Sequence, residues 1–446
     1  MANMRELAVD MLLEITEKDR YSHLVIREVL QKHDYLDGRD KAFLKRLTEG
    51  TLERKLQIDF VINQFSKVPV HKMKPFIRTL LRMSVYQLLF MDSVPDSAVC
   101  NEAVKLCKKR NFHSLQGFIN GVLRTIARSK DAVCYPDRDK DTAEFLSVFY
   151  SMPKWLVEKF IEEYGEEKTE KMLKAFLEAV PVTVRVCDET KAKELVGVWE
   201  TEGISAEQHP YLSYAYRLRG LEGISHLAGY EEGLFTVQDV SSMLVCEAAD
   251  IRKGDRIIDV CAAPGGKAVH AAQKLAGSGM VSARDLTEYK ASLIRDNIDR
   301  MQLSNCEVLV WDACKIREED KETADIVIAD LPCSGLGIMG KKKDIRYHAS
   351  KDGLNELIAL QREILKTVWQ YVKPGGVLLY STCTVNPGEN RDNVEWFTAN
   401  YPFETENLGA YLPGLEELCE QDGTLQLIPG EHETDGFFIA RLRRKS

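Results

Sequence analysis

The stretch DRIIDVCAAPGGK, residues 255–267, constrains the fold of this chain more than any other. Its apolar residues Ile257, Ile258 and Val260 are typical of a strand that is buried on both faces of a parallel sheet. The small residues AAPGG then turn the chain towards a predicted helix, and such a strand–loop–helix unit can hold a nucleotide-type ligand at the carboxyl edge of a sheet. The loop is neither G-x-G-x-x-G nor G-x-x-x-x-G-K-[ST], so a dinucleotide fingerprint and a P-loop are poorly supported. On this unit alone, an ordinary βα turn is an equally good interpretation.

The pattern around this unit is an alternation of strands and helices that begins near Phe235. Strands are predicted at residues 256–260, 280–283, 307–311, 325–329, 377–381 and 436–442. This order predicts a doubly wound, Rossmann-like α/β domain over residues 235–446, with its ligand at the carboxyl ends of the strands.

The front of the chain has a different pattern. Residues 1–133 show helical spacing of apolar residues throughout, which predicts an all-α domain. Pro75 is expected to begin one helix, and Asp96 or Ser97 to cap the next. Residues 134–234 mix helices and short strands, which predicts a small α/β domain that is RNA-recognition-like but lacks the aromatic signature of that motif.

Charge is distributed unevenly along the 446 residues. Residues 1–130 hold 23 Lys and Arg against 15 Asp and Glu, a net charge of +8, whereas the whole chain carries −9. A basic front part suggests a polyanionic partner, although a merely solvated basic face is also common. No apolar run approaches the roughly 20 residues that cross a bilayer, and no signal peptide is recognisable, so we expect a cytoplasmic protein without a membrane partner.

The number and spacing of the cysteines argue against disulfide bonds and against a metal site. Eleven cysteines, an odd number, argue against a disulfide framework, and no C-x-x-C pair is present. We therefore expect no structural zinc site, and most cysteines should be small buried apolar residues.

Acidic residues follow three of the predicted strands. Asp285 follows the second strand, where a carboxylate can accept from both hydroxyls of a ribose. Asp312 follows the third strand and suits the amino group of an adenine, and Asp330 follows the fourth. Each alone can equally be a helix N-cap, but three around one glycine-rich loop favour an adenosine-type cofactor.

Two cysteines also lie just beyond predicted strands. Cys333 stands in ADLPCSGLG and Cys383 in LLYSTCTVNPGEN. A cysteine inside a strand is usually inert, but one in a polar turn beyond a strand can be exposed and stabilised as a thiolate. The residues alone do not rank the two as nucleophile.

Three motifs together, DVCAAPGGK, DLPCSGLG and YSTCTVNPGEN, resemble the RNA 5-methylcytosine methyltransferases, which use S-adenosylmethionine. The helical front resembles the NusB-like RNA-binding fold through AVCNEAVKLCKK and GFINGVLRTIAR. With FTVQDVSS added, the whole chain resembles the ribosomal small-subunit methyltransferase B (RsmB, Sun, Fmu) family. This resemblance implies a monomer that methylates C5 of one cytosine in 16S rRNA.

The resemblance also implies roles for individual residues. Cys383 corresponds to the nucleophile that adds to C6 of a flipped cytosine, and Cys333 assists release of the methylated base. Asp330 is expected to help hold the cofactor and to stabilise charge at the cytosine edge. The cofactor-binding residues implied are Cys261, Ala262, Ala263, Pro264, Gly265, Gly266, Lys267, Asp285, Asp312 and Asp330. The run Lys341–Lys342–Lys343 is expected either to contact flanking phosphates or to be solvated.

Three alternatives stay open at this point. The same chemistry could act on transfer RNA or on another ribosomal RNA. A non-catalytic RNA-binding assembly factor is opposed by the intact Asp285, Asp330, Cys333 and Cys383. A nicotinamide dehydrogenase is disfavoured because G-x-G-x-x-G is missing.

Overall fold

A computed structural model describes residues 3–221 and 223–446 of the chain, which divides into two compact units. The first unit consists of Met1–Glu178 and Met339–His348, and the second of Ala179–Ile338 and Ala349–Ser446. Every helix in the described residues is too short or too polar to traverse a lipid bilayer.

The helices are α1 (Met4–Glu17), α2 (Ser22–Lys32), α3 (Gly38–Glu53), α4 (Lys55–Phe65), α5 (Pro75–Phe90), α6 (Asp96–Lys109), α7 (Gln116–Arg128), α8 (Thr142–Phe149), α9 (Lys154–Ala175), α10 (Ala192–Thr201), α11 (Val240–Ala248), α12 (Gly266–Lys274), α13 (Glu288–Arg300), α14 (Ile345–His348), α15 (Lys351–Val368) and α16 (Arg391–Asn400). The strands are β1 (Val182–Val186), β2 (Ser205–Gln208), β3 (Ala215–Arg219), β4 (Phe235–Val237), β5 (Arg256–Asp259), β6 (Met280–Asp285), β7 (Cys306–Val310), β8 (Ala324–Asp330), β9 (Val372–Thr382), β10 (Phe403–Glu406), β11 (Leu425–Leu427) and β12 (Phe437–Arg444).

Helix α5 is the centre of the first unit, because it packs against α1, α3, α4, α6 and α7. Pro75 is its first residue, as predicted, since a proline at this position needs no N–H partner. The prediction that Asp96 or Ser97 caps α6 is wrong: Asp96 is already helical and Pro95 occupies the cap position. The helix begins earlier because the carbonyl of Pro95 accepts from the backbone N–H groups of Ala98 and Val99.

The segment Met339–His348 belongs to the first unit although it is distant in sequence. Asp344 accepts hydrogen bonds from the backbone N–H and the hydroxyl of Ser22, both at 2.7 Å, at the first residue of α2. A carboxylate at this end of a helix satisfies free N–H groups and favours the helix dipole. Within the same unit, Arg346 is completely buried.

The second unit contains two sheets. The smaller one has the strand order β2-β3-β1-β4 and is antiparallel throughout. Helix α10 belongs to the same small core, where Trp199 is completely buried and its indole N–H donates to the carbonyl of Ala228 at 3.0 Å. The letters VTVRV form β1, one of the short strands expected between residues 134 and 234.

The larger sheet has the strand order β10-β12-β9-β8-β5-β6-β7, with β11 paired to β12. Strands β5 to β9 are mutually parallel, and β12, β10 and β11 are antiparallel additions. All six predicted strands are present, and the short strands β10 and β11 were not predicted. The doubly wound architecture is confirmed, and it brings the carboxyl ends of five strands to one edge.

Two glycines allow the chain after β8 to approach the chain before β12. The backbone N–H of Gly436 donates to the carbonyl of Gly337 at 2.9 Å, and the N–H of Gly337 donates to the carbonyl of Cys383 at 3.1 Å. A Cβ on Gly337 would lie 2.0 Å from the carbonyl oxygen of Gly436, a distance that requires the backbone to move. A side chain is therefore excluded at Gly337.

We predict that Gly337→Ala lowers the unfolding midpoint in urea and destabilises the second unit by about 1–3 kcal/mol, because overpacking displaces backbone. The matched control is Gly197→Ala in the interior of α10, where a Cβ meets nothing within 4 Å. The control variant should gain about 0.5–1 kcal/mol from its better helix propensity. Equal midpoints for the two variants would contradict this interpretation of Gly337.

Candidate active site

The predicted cofactor loop, residues 261–266, leaves the carboxyl end of β5 and is fixed from both sides. The N–H of Ala262 donates to the carbonyl of Arg284 at 2.8 Å, and the N–H of Gly265 donates to the carbonyl of Ala262 at 2.7 Å. Gly265 has a φ of 110°, which only glycine adopts without strain. A Cβ there would lie 3.3 Å from Ile294 of α13, so the loop is packed closely against that helix.

Asp285 is the last residue of β6 and closes this loop. One of its carboxylate oxygens accepts from the N–H of Ala263 at 3.0 Å, and the other accepts from the N–H of Leu286 at 2.8 Å. Lys290 lies 3.1 Å from the same carboxylate. Asp285 therefore ties the ends of β5 and β6 together, in addition to any contact it makes with a ligand.

Apolar side chains are exposed near the same ends of β6 and β7. Leu286 is 61 % exposed, Tyr289 is 56 % exposed and Val310 is 42 % exposed. Asp312 follows β7 and is one-third exposed, with one oxygen accepting from the N–H of Cys314 at 3.0 Å. The other oxygen of Asp312 lies 3.7 Å from the ammonium of Lys315. Exposed apolar side chains together with a partly exposed carboxylate fit a planar heterocycle with an amino group.

The buried Lys267 forms an ion pair with Asp330, which is 29 % exposed. The ammonium of Lys267 lies 2.6 Å from one oxygen of Asp330, and the hydroxyl of Ser381 donates to the other oxygen at 2.8 Å. Burial lowers the pKa of Lys267, but the charge of Asp330 and its hydrogen bond outweigh this effect, so that the pKa is raised. The ammonium also lies 5.2 Å from the centre of the Phe437 ring. Lys267 is thus a fixed cation at the edge of the sheet.

Asp259, the last residue of β5, is a buried acid that was not among the predicted site residues. Neither of its carboxylate oxygens accepts a hydrogen bond of normal geometry. Burial and then the charge of Asp330 raise its pKa to about 7, and the charge of Lys267 and the backbone N–H of Cys261 oppose this shift without reversing it. A buried, unpartnered carboxyl group beside the loop is suited to a cationic ligand group.

Cys333 and Cys383 lie next to each other, with 3.3 Å between their sulfurs. The pKa of Cys333 is raised well above the usual range, first by its hydrogen bond with Cys383 and then by burial. Either sulfur can be the donor in this contact. When Cys383 is ionised, its charge also contributes to raising the pKa of Lys267. Lys267 is thus a cation that can stabilise a thiolate at Cys383.

Several basic residues that the sequence suggested for contacts with RNA lie in ion pairs with acidic residues. Lys343 forms an ion pair with Glu53 and is only 15 % exposed, so it does not belong to a solvated lysine face, and in this arrangement its ammonium is occupied by Glu53. Many basic side chains of the helical front part are also paired with acids: Arg78 with Glu17, Arg82 with Asp59, Lys105 with Glu102, Lys109 with Glu6 and Arg110 with Asp10. A polyanion that bound these cations would therefore compete with their acidic neighbours.

All eleven cysteines are free. Across residues 3–221 and 223–446, no three His, Cys, Asp or Glu side chains come together as a metal site.

Comparisons with known proteins agree with this architecture. A family described as 16S rRNA methyltransferase RsmB/F matches residues 247–443, the NusB family matches residues 2–128, and an RsmF/B-like ferredoxin-like domain matches residues 152–222. The probable ribosomal RNA small subunit methyltransferase B of Bacillus subtilis (strain 168) is 34% identical over 449 residues and covers 99% of each chain. The ribosomal RNA small subunit methyltransferase B of Cronobacter sakazakii is 32% identical over 447 residues, again 99% of each chain.

A solved structure is similar over the whole length. The crystal structure of PH0851 has a TM-score of 0.80 and 26% sequence identity, and the match covers 100% of this chain and 99% of that one. The predicted fold class is confirmed: a NusB-like helical domain, a small ferredoxin-like domain and a Rossmann-like methyltransferase domain with a mixed sheet.

We predict that Asp259 destabilises the protein as the pH rises. Its pKa in the folded state, about 7, exceeds the value of about 4 of an unfolded chain, so folding is favoured by protonation and this contribution is lost between these two pH values. The variant Asp259→Asn should therefore match the wild type near pH 4 and become more stable than it towards pH 8, by about 4 kcal/mol at most. Thermal unfolding without cofactor measures this; a stability difference independent of pH would contradict it.

Proposed function

The chain belongs to the RsmB/F family of 16S rRNA methyltransferases, and from this premise we propose that it methylates C5 of a cytosine in 16S rRNA with S-adenosylmethionine. The observation that carries the proposal is the pair Cys333 and Cys383, 3.3 Å apart at the edge of the sheet where Lys267 and Asp330 lie. Two thiols in this position suit a reaction that needs one sulfur as a nucleophile and a second one at product release.

We propose that residues 261–267, together with Asp285, Asp312 and Asp330, hold the cofactor. The unpartnered carboxyl group of Asp259 and the exposed Leu286 support this assignment, because they suit a cationic group and an adenine ring respectively. When bound, S-adenosylmethionine supplies an electrophilic methyl group on a positively charged sulfonium. The closely packed glycine loop lets the backbone approach such a ligand without an intervening side chain.

Cys383 is the proposed nucleophile. The thiol of Cys333 can donate to its sulfur, and the ammonium of Lys267 interacts with its charge, so both neighbours are placed to stabilise a thiolate there. The thiolate forms a bond with C6 of the cytosine, and the electron pair of the C5–C6 double bond makes C5 nucleophilic. After C5 has gained the methyl group, it gives its proton to water, and the electron pair of that C–H bond restores the C5–C6 double bond. The bond between C6 and sulfur breaks in the same step, and its electron pair leaves with the thiolate of Cys383.

Asp330 and Cys333 have supporting roles in this proposal. Lys267 and Ser381 bind the two oxygens of Asp330 and fix its orientation, so that its carboxylate can hold the edge of the cytosine. Cys333 assists release of the methylated base from Cys383. We further propose that the protein acts as a monomer in the cytoplasm, with the divisions 1–133, 134–234 and 235–446 as its domains.

The proposal is tested with labelled S-adenosylmethionine and unmodified 16S rRNA. Wild type should methylate the RNA, Cys383→Ala should lose activity by a factor of about 10³ or more because the nucleophile is absent, and Cys333→Ala should accumulate a protein–RNA adduct that survives denaturation. Cys134→Ala is the control, since Cys134 is exposed and belongs to the other compact unit. An adduct in Cys383→Ala but not in Cys333→Ala would reverse the two roles.

The substrate is tested separately from the chemistry. Transfer RNA, 23S rRNA, free 16S rRNA and small ribosomal subunits are offered to the wild type under the same conditions. We expect methylation of 16S rRNA, free or in the particle, and none of the other two RNAs. Methylation of transfer RNA alone would be compatible with the proposed chemistry but would refute 16S rRNA as the substrate.

A further inference from the structure

Glu389 is a completely buried acid that the proposed reaction does not use. One of its carboxylate oxygens accepts from the hydroxyl of Ser334 at 2.6 Å and from the side-chain amide of Asn386 at 3.0 Å. The other oxygen accepts from the backbone N–H of Ser334 at 2.9 Å and from the side-chain amide of Gln361 at 3.0 Å. All four acceptor positions of the carboxylate are thus occupied by donors.

These hydrogen bonds connect the loop that contains Cys333 with the loop that contains Cys383. Ser334 directly follows Cys333, and Glu389 lies six residues after Cys383 in the loop that leaves β9. The hydroxyl of Ser334 also contacts the hydroxyl of Thr384, the residue after Cys383, at 2.7 Å. The chain positions immediately after both cysteines are therefore held within one hydrogen-bond network.

The network also fixes the residue before Cys333. The amide of Gln361 that donates to Glu389 donates as well to the carbonyl of Pro332, at 2.9 Å. Gln361 is itself completely buried, and its oxygen accepts from the amide of Asn393 at 2.8 Å. The residues on both sides of Cys333 are thus linked by hydrogen bonds to the carboxylate of Glu389: Ser334 directly, and Pro332 through the amide of Gln361.

The carboxylate has no cationic partner among the described residues, because every group that donates to it is neutral. A buried charge without a counter-ion is costly and persists only where its hydrogen bonds are complete. Its negative charge is one of the effects that raise the pKa of Cys333, after the hydrogen bond with Cys383, burial and the charge of Cys383. Glu389 therefore acts on the protonation of Cys333 as well as on its position.

We propose that Glu389 is a positioning residue for the methyl transfer: it ties the loop of Cys333 to the loop of Cys383 and so sets the contact between the two sulfurs. The inference rests on the proposed function for its catalytic consequence. A neutral Cys333 can donate to the thiolate of Cys383, whereas a Cys333 thiolate would repel it. Glu389 thereby contributes to the choice of Cys383 as the nucleophile.

The test is Glu389→Gln, which keeps the shape of the side chain, removes the charge and replaces one acceptor by a donor. The exposed carboxylate of Glu395 in α16 provides the control, Glu395→Gln. We expect methyl transfer by Glu389→Gln to fall by about 10²-fold, as for a displaced reacting group, and transfer by the control to stay unchanged.

A second readout needs neither RNA nor cofactor, so it separates this inference from the proposed function. In a Cys383→Ala background, the pH dependence of alkylation of Cys333 by iodoacetamide is followed by peptide mass spectrometry. Removing the charge of Glu389 should lower the midpoint pH of this reaction by about one unit. A purely structural role would not move the midpoint, and an unchanged midpoint overturns the inference.

The variant Ser334→Ala tests the positioning effect of Glu389 separately from the effect of its charge. It also provides a test if Glu389→Gln does not fold. It removes the hydroxyl bonds to Glu389 and Thr384 but keeps the buried carboxylate. We expect slower methyl transfer with an unchanged midpoint for alkylation of Cys333. Methyl transfer at the wild-type rate by Ser334→Ala and Glu389→Gln alike would overturn the positioning role, whether or not the substrate is 16S rRNA.

Discussion

The parallel register of β8 and β9 is the constraint on which the candidate active site depends. Asp330 pairs with Ser381, and the two strands end at the same edge of the sheet. Cys333 follows three residues after Asp330, and Cys383 follows two residues after Ser381. A shift of this register by one residue would turn side chains to the opposite face and separate the sulfurs that now lie 3.3 Å apart.

Charge then distinguishes two cysteines that the fold places side by side. Lys267, held by Asp330, is the cation whose pKa reflects the charge on Cys383, whereas the buried carboxylate of Glu389 acts against a charge on Cys333. Lys267 and Glu389 are buried, and fixed charges at buried positions act more strongly than they would in solution. The sequence alone does not distinguish the two thiols, whereas in the fold each has different charged groups near it.

Local patterns in the sequence were sufficient for most of the fold. The apolar runs of β5 and β8, the loop that starts at Cys261 and the proline at the start of α5 are visible in short windows, and each was predicted correctly. The short strands β10 and β11 were missed because segments of four and three residues carry too little periodicity. The prediction for the cap of α6 failed because a proline and an aspartate at neighbouring positions both suit a helix start.

The parts of the site that could not be predicted depend on contacts between distant residues. Asp259 looks like an ordinary strand residue, and only its burial without a partner reveals an unusual acid. Glu389 looks like a polar residue of a turn until Ser334 and Gln361 are seen to donate to it. Lys343 stands in a run of lysines that suggests phosphate binding, yet it pairs with Glu53, 290 positions away. Spacing along the chain contains no information about such pairs.

The central claim, that Cys383 rather than Cys333 attacks the cytosine, is tested most directly in the wild-type protein. A 16S rRNA in which 5-fluorocytidine replaces cytidine cannot lose a proton from C5 after methylation, so the covalent adduct remains. Digestion with nuclease and protease, followed by mass spectrometry, identifies the cysteine that carries the modified nucleotide. The account predicts a modified peptide that contains Cys383, and a modified peptide that contains Cys333 would contradict it.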